Sequence, residues 1–330
     1  MVKVGLIGAG MVGSAYVESI MRTPDVHLVA VADPNGGKAQ KLAETSGAQV
    51  FTEIHDLLES DAVEAVVIAS PTPFHFFQAR EALQRGKHVL LEIPMVRSWQ
   101  EAEELQAQSR QSSAVLTVAH VQRFFNENEM IRQQVNQGAA GKPAMIRMSR
   151  RTPHPKRWYS NFEASGGVIL DSMIHELDFL QWVFGPAKRV YCQAMRGRKD
   201  TENLDYALAS IRMESGAIAH IESSWCHYGQ FNIDIEVAGD KGLIQYDNNE
   251  STPLHFSEID PNQGSRNYYF ESPVYEPSYH KMFRQFIQAV QGRGENPVPV
   301  EEGMSAVKLA LAAIRSAEMG QPVELENFKG

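Results

Sequence analysis

The chain has 330 residues, 43% of them hydrophobic and 22% charged, which supplies cores for about two domains and excludes a disordered chain. Its 31 lysines and arginines against 40 aspartates and glutamates leave a net charge of −9, the wrong sign for a nucleic-acid backbone binder. No run of about 18 apolar residues occurs, so no membrane partner is expected.

In chain order, residues 2–7 predict a strand, 14–21 a helix, 26–32 a strand, 38–46 a helix and 49–51 a short strand. Residues 65–69, AVVIA, form the continuous apolar run of a strand buried on both faces of a parallel sheet. A helix over 74–84 closed by Gly86, a strand at 88–91, a helix over 99–109 and a strand at 115–119 follow. This alternation predicts a doubly wound parallel sheet. The rhythm then changes. Helices are predicted over 127–137 and 168–184, the second stopped by Gly185 and Pro186. Strand-like runs at 144–150, 189–195, 206–213, 217–223, 232–238 and 242–247 are joined mostly by short turns, which favours a mainly antiparallel open sheet. Helices near 278–291 and 302–318 complete an α/β chain, read as domains 1–122 and 123–330.

Cys192 and Cys226 cannot build a disulfide framework and are expected as free thiols. The apolar N-terminal stretch is interrupted by Gly5, Gly8, Gly10 and Gly13, so it reads as mature structure rather than a signal peptide. A cytoplasmic location is the expectation.

Gly8-Ala9-Gly10-Met11-Val12-Gly13 is a G-x-G-x-x-G motif directly after a predicted strand, and Asp33 lies 20 residues beyond it. Gly8 permits a tight turn, Gly10 lets the backbone approach a pyrophosphate, and Gly13 lets helix and strand pack closely. The helix start offers unpaired N–H groups and a positive dipole end to phosphates. Asp33 would accept from the ribose hydroxyls and repel a 2′-phosphate, so the cofactor is read as NAD rather than NADP.

In the predicted helix VILDSMIHELDFLQWVFG, Asp171, His175 and Asp178 stand at i, i+4 and i+7, within about 60° of arc at 100° per residue. The remaining surface is so apolar that the helix should be buried. One turn apart, Asp171 can orient or charge-stabilise the His175 imidazole, the pairing a proton transfer near neutral pH needs. A polar face turned to solvent would show the same pattern. His120, His220 and His227 have no ligand spacing with Cys192 or Cys226, so no metal site is expected.

Five segments occur in order: the glycine motif, Ser70-Pro71-Thr72-Pro73-Phe74-His75, Gly86 through Pro94 (GKHVLLEIP), Arg123-Phe124, and Gly166-Gly167 followed by Asp171-x3-His175-Glu176-x-Asp178. Together they resemble the Gfo/Idh/MocA family of nicotinamide-dependent sugar and polyol oxidoreductases, and DSMIHELD is most similar to inositol dehydrogenase-like members. The resemblance spans essentially the whole chain. It implies an N-terminal Rossmann domain and a C-terminal α/β domain for substrate binding and oligomerisation, in a homodimer or homotetramer. It implies that Gly8, Gly10, Met11, Val12, Gly13, Asp33, Ser70, Thr72, His75, Glu92, Ile93, Pro94 and Arg123 hold the cofactor. It places Asp171 and His175 on the substrate, a small sugar or polyol-like molecule.

One position departs from the family pattern. Its usual motif is Glu-Lys-Pro, with the lysine on the cofactor ribose and the reacting hydroxyl, and here Ile93 stands between Glu92 and Pro94. Isoleucine cannot stabilise a developing alkoxide, and losing such a donor typically costs a few kcal/mol of transition-state stabilisation. Arg97, Arg123, Lys156 and Arg157 are the cations that could compensate. The alternatives are a non-sugar substrate, as in branches of the family that lack the lysine, or a catalytically weak nicotinamide-binding regulatory protein. The basic, aromatic segment 150–160 could cover a substrate with His154, Arg157 and Trp158, or be a solvated loop.

Overall fold

A computed structural model of the protein describes residues 1–155, 157–197, 203–250, 254–260, 264–270 and 276–330. They divide into two compact units, residues 1–124 with 276–304, and residues 125–275 with 305–330.

The first unit alternates strand and helix: β1 (Val2–Ile7), α1 (Met11–Arg22), β2 (Val26–Ala32), α2 (Gly36–Ala43), β3 (Gln49–Phe51), α3 (Ile54–Glu59), β4 (Ala65–Ile68), α4 (His75–Gln84), β5 (His88–Leu91), α5 (Trp99–Gln111) and β6 (Leu116–Val118). The six strands are all parallel, in the order β3-β2-β1-β4-β5-β6. All four residues of β4 are buried, as its unbroken apolar run requires. Strand order reverses between β1 and β4, and the crevice beyond the carboxyl ends of strands at such a reversal is where ligands bind in open α/β sheets. Ser98 caps α5 in a reciprocal capping box with Glu101, and Asn35 caps α2. Gly10 precedes α1 with no side-chain cap, so the first N–H groups of that helix are left to other partners.

The second unit holds α6 (Asn126–Asn136), β7 (Pro143–Arg151), α7 (Phe162–Ser165), a π turn over Ile169–Met173, α8 (Ile174–Phe184), β8 (Ala187–Met195), β9 (Tyr206–Met213), β10 (Ile218–Ser224), β11 (Asn232–Gly239), β12 (Gly242–Asp247), β13 (Leu254–Asp260) and β14 (Gly264–Phe270). Helix α9 (Ser278–Val290) belongs to the first unit, α10 (Val300–Met319) contains the last boundary, and β15 (Val323–Glu324) ends the described elements. The nine strands run β14-β13-β12-β11-β7-β10-β9-β8-β15. Among the described strands only β7 and β10 pair in parallel, so the sheet is mixed but mostly antiparallel, as expected.

Alternation along β9 shows why this sheet is one-sided. Ala207, Ala209, Ile211 and Met213 are buried, whereas Leu208 and Arg212 are exposed. The predicted continuous α-helix over 168–184 is corrected. Its first turn is π, so Asp171 does not follow the 100° spacing of an α-helix. Among the described residues no helix is long and apolar enough to cross a membrane. Cys192 is a buried free thiol, and burial pushes it up to about 12.

Candidate active site

The glycine motif forms a cradle at the carboxyl end of β1. Gly8 has φ +100°, and a Cβ there would lie 2.5 Å from the Ala69 carbonyl oxygen. A Cβ on Gly13 would overlap the Gly8 carbonyl oxygen, so α1 packs against the turn only because residue 13 is glycine. A Cβ on Gly10 would meet nothing within 4 Å. That open space, facing an uncapped helix start, fits a pyrophosphate, and none of the described residues fills it. Met11 is 89% exposed at the same turn, and Val12 is half-buried. Asp33, at the end of β2, accepts from the backbone N–H of Ala9 and of Asn35, both at 2.8 Å. These residues fit a dinucleotide.

Beyond β4, the Ser70 hydroxyl donates to Gln78 Oε1 at 2.7 Å, and Thr72 is buried in a 3₁₀ turn. His75 is buried with Nδ1 2.9 Å from the Pro94 carbonyl oxygen and Nε2 2.8 Å from that of Ser70. A neutral ring donates to one carbonyl and an imidazolium to both. Burial outweighs the two carbonyls and lowers its pKa. His75 therefore braces the two loops beyond β4 and β5. Glu92 is buried at the end of β5, its Oε1 accepting from the Tyr16 hydroxyl at 2.6 Å. Ile93 is half-buried and Pro94 buried. Arg123 is buried and pairs with Glu302, so a carboxylate already meets its charge.

In the second unit, Gly166 and Gly167 have φ +72° and +67° and lead into the π turn. Asp171 and His175 are both half-buried, one in the π turn and one in the first turn of α8. Asp178, expected on the same polar stripe, is buried. Burial pushes the Asp171 carboxyl up to about 7, although the Arg150 guanidinium nearby opposes the shift. Arg150 of β7 and Glu176 of α8 form a buried ion pair. The arginine Nε lies 3.0 Å from both carboxylate oxygens, and Nη2 lies 2.9 Å from Oε1. The guanidinium also sits 5.3 Å from the Phe231 ring centroid. The sequence reading missed this cation. Its traces there are an arginine that ends a predicted strand and opens the basic segment 150–160, and its partner stands 26 residues away.

His154 is buried, its Nε2 3.6 Å from Asp205 Oδ1 and its ring edge-on to Trp225 at 5.3 Å. Trp158 stacks on Tyr159 at 3.9 Å, and Arg157 is exposed. Lys156 lies outside the described residues. Among the described residues no group of three histidine, cysteine, aspartate or glutamate side chains is placed to hold a metal ion.

Two family models match the chain: GFO_IDH_MocA, described as "Oxidoreductase family, NAD-binding Rossmann fold", over residues 2–120, and "GFO/IDH/MocA C-terminal domain" over residues 129–245. The chain is 28% identical to the myo-inositol 2-dehydrogenase of Thermotoga maritima, across 99% of this chain and all of that one. It is 26% identical to the 1,5-anhydro-D-fructose reductase of Ensifer adhaerens over 98% of each. Among solved structures it is similar to GenD2 from gentamicin A biosynthesis in complex with NAD. That match has a TM-score of 0.87 at 26% identity, covering 98% of this chain and 96% of that one.

Proposed function

The chain belongs to the Gfo/Idh/MocA family of oxidoreductases, and we propose that it is a cytoplasmic NAD(H)-dependent enzyme acting on a sugar, an inositol-like polyol, or a sugar-derived hydroxyl or ketone. The first unit binds the dinucleotide, and the second binds substrate and pairs subunits into a dimer or tetramer through its exposed sheet face. Asp33 sets the choice of NAD over NADP, because its anchored carboxylate accepts from ribose hydroxyls and repels a 2′-phosphate.

The observation that carries the reading is the placement of Asp171 and His175 around the start of α8, with the buried Arg150 near the carboxylate. When bound, nicotinamide supplies the hydride acceptor. His175 takes the proton from the substrate hydroxyl oxygen as hydride leaves the carbon that bears that hydroxyl. Asp171, earlier on the same segment, supplies a carboxylate whose charge stabilises the imidazolium. Arg150, neutralised by Glu176, keeps Asp171 from being driven further toward its protonated form. Holding the reacting carbons in line supplies much of the rate.

The test is an initial-rate screen of the purified protein with NAD⁺ and a panel of inositols, aldoses, hemiacetal sugars and sugar acids, following NADH absorbance. Turnover with one class names the substrate class. Silence across the panel contradicts the reading. Ile93 favours a second one, a non-sugar reductase or a weakly catalytic regulatory protein, because this side chain offers no proton donor. Ile93→Lys separates them: polyol oxidation rises under the first reading and does not under the second.

A further inference from the structure

Among the described residues no cation pairs with the Glu92 carboxylate. It is 9% exposed, accepts from the Tyr16 hydroxyl at 2.6 Å and from the Ile93 N–H at 3.2 Å. Among the described residues no lysine, arginine or histidine makes a hydrogen bond or ion pair with it. Among the described residues the titratable group that bonds it is Tyr16 of α1, whose hydroxyl burial and Glu92 hold in its protonated form, and Tyr279 of α9 stands edge-on to the Tyr16 ring at 5.3 Å. His280 of α9 is turned elsewhere, 3.2 Å from the Ser19 carbonyl oxygen and 3.4 Å from Glu276. Two donors without a charge leave the carboxyl balanced between its protonated and ionised forms, and burial pushes it up to about 7.

Its position in the fold gives that balance a use. Asp33 ends β2 on one side of β1, and the start of α1 faces the phosphates. A dinucleotide whose adenosine ribose meets Asp33 crosses the reversal point and directs its nicotinamide half toward the ends of β4 and β5. Glu92 directly follows β5. The oxidised ring carries a positive charge and the reduced ring carries none. A unit charge within several ångströms of a partly buried carboxylate favours its ionised form by at least about tenfold.

We propose that Glu92, hydrogen-bonded to Tyr16, is a proton site linked to the redox state of the cofactor: it releases its proton to solvent when NAD⁺ binds and keeps it when NADH binds. This rests on the reading of the first unit as a nicotinamide dinucleotide site. The proton is separate from the one His175 takes from substrate. It returns to Glu92 from solvent once the ring is reduced, so protons and charge balance over a cycle. The consequence is a pH-dependent preference between the two cofactor forms, with NAD⁺ bound more tightly as pH rises.

The test is calorimetric titration of the full chain with NAD⁺ and separately with NADH, at pH 7, in buffers of different ionisation enthalpy. NAD⁺ binding is expected to release about half a proton and NADH binding none, or to take some up. Between pH 6 and pH 8 the NAD⁺ affinity should rise about five- to tenfold, while NADH affinity stays level or falls. In Glu92→Gln both nucleotides should still bind, with equal proton counts. Tyr16→Phe, which removes a donor to the carboxylate, should move the midpoint of the NAD⁺ affinity curve to higher pH. Equal counts for both nucleotides in the unmodified protein, or a difference that persists in Glu92→Gln, would overturn this proposal alone. Failure to bind either nucleotide would overturn the dinucleotide reading and the proposal with it.

Discussion

The backbone N–H of Ala9 donates to Oδ2 of Asp33 at 2.8 Å, which ties the middle of the glycine turn to the end of β2. The other carboxylate oxygen is held by the N–H of Asn35. Asp33 is thus fixed by two amides, and its remaining lone pairs have a defined direction. Asp33→Ser should keep a hydroxyl for hydrogen bonding and remove the charge that opposes a 2′-phosphate. The ratio of NADP to NAD affinity should rise by about tenfold or more, since like-charge contacts cost several kcal/mol. Fluorescence titration with NADH and NADPH checks this.

Two alanine substitutions in the same turn should fail in different ways. In Gly13→Ala the new Cβ collides with the Gly8 carbonyl oxygen, a backbone atom that cannot step aside. A stability loss of about 1–3 kcal/mol is expected, as for other overpacked sites. In Gly10→Ala the Cβ enters open space, so stability should change by less than about 0.5 kcal/mol. NADH affinity should nonetheless fall, because the methyl occupies the approach of the phosphates. Thermal melts alongside NADH titrations separate the two effects.

Asp171 makes stability depend on pH in a stated direction. Its carboxyl is pushed from 3.8 up to about 7 by burial, so the folded state holds the proton more tightly than the unfolded state. Its contribution is complete below pH 4 and is lost as pH rises toward and through 7. Glu92, also pushed up to about 7, acts in the same sense. Asp171→Asn should therefore melt at least about 1 °C above the unmodified protein at pH 8, with the advantage gone at pH 4. Melting curves across that range check the sign.

Much of the first unit was legible because its signals are local. The glycine turn needs consecutive residues, and β4 announces itself by four adjacent apolar positions. The site was only half legible. Asp171 and His175 are four residues apart, so an α-helical reading pairs them, but the π turn takes Asp171 off that spacing. Arg150 and Glu176 are 26 residues apart, and Tyr16 and Glu92 are 76. Those pairs exist only once strand and helix have packed, and no spacing rule connects them. The π turn was also hidden, because its sequence, ILDSM, carries neither proline nor glycine to mark a break. The packing of α9 with the N-terminal residues rests on tertiary contacts such as Tyr16 with Tyr279, which stand still farther apart in the chain.

The central claim is that His175 is the proton acceptor of a nicotinamide-dependent oxidoreductase. The most direct measurement compares the unmodified protein with His175→Ala, in turnover on the best substrate and in NADH affinity. A loss of turnover of about 100-fold or more, with NADH affinity nearly unchanged, is the expected result. Near-normal turnover in His175→Ala would contradict the account.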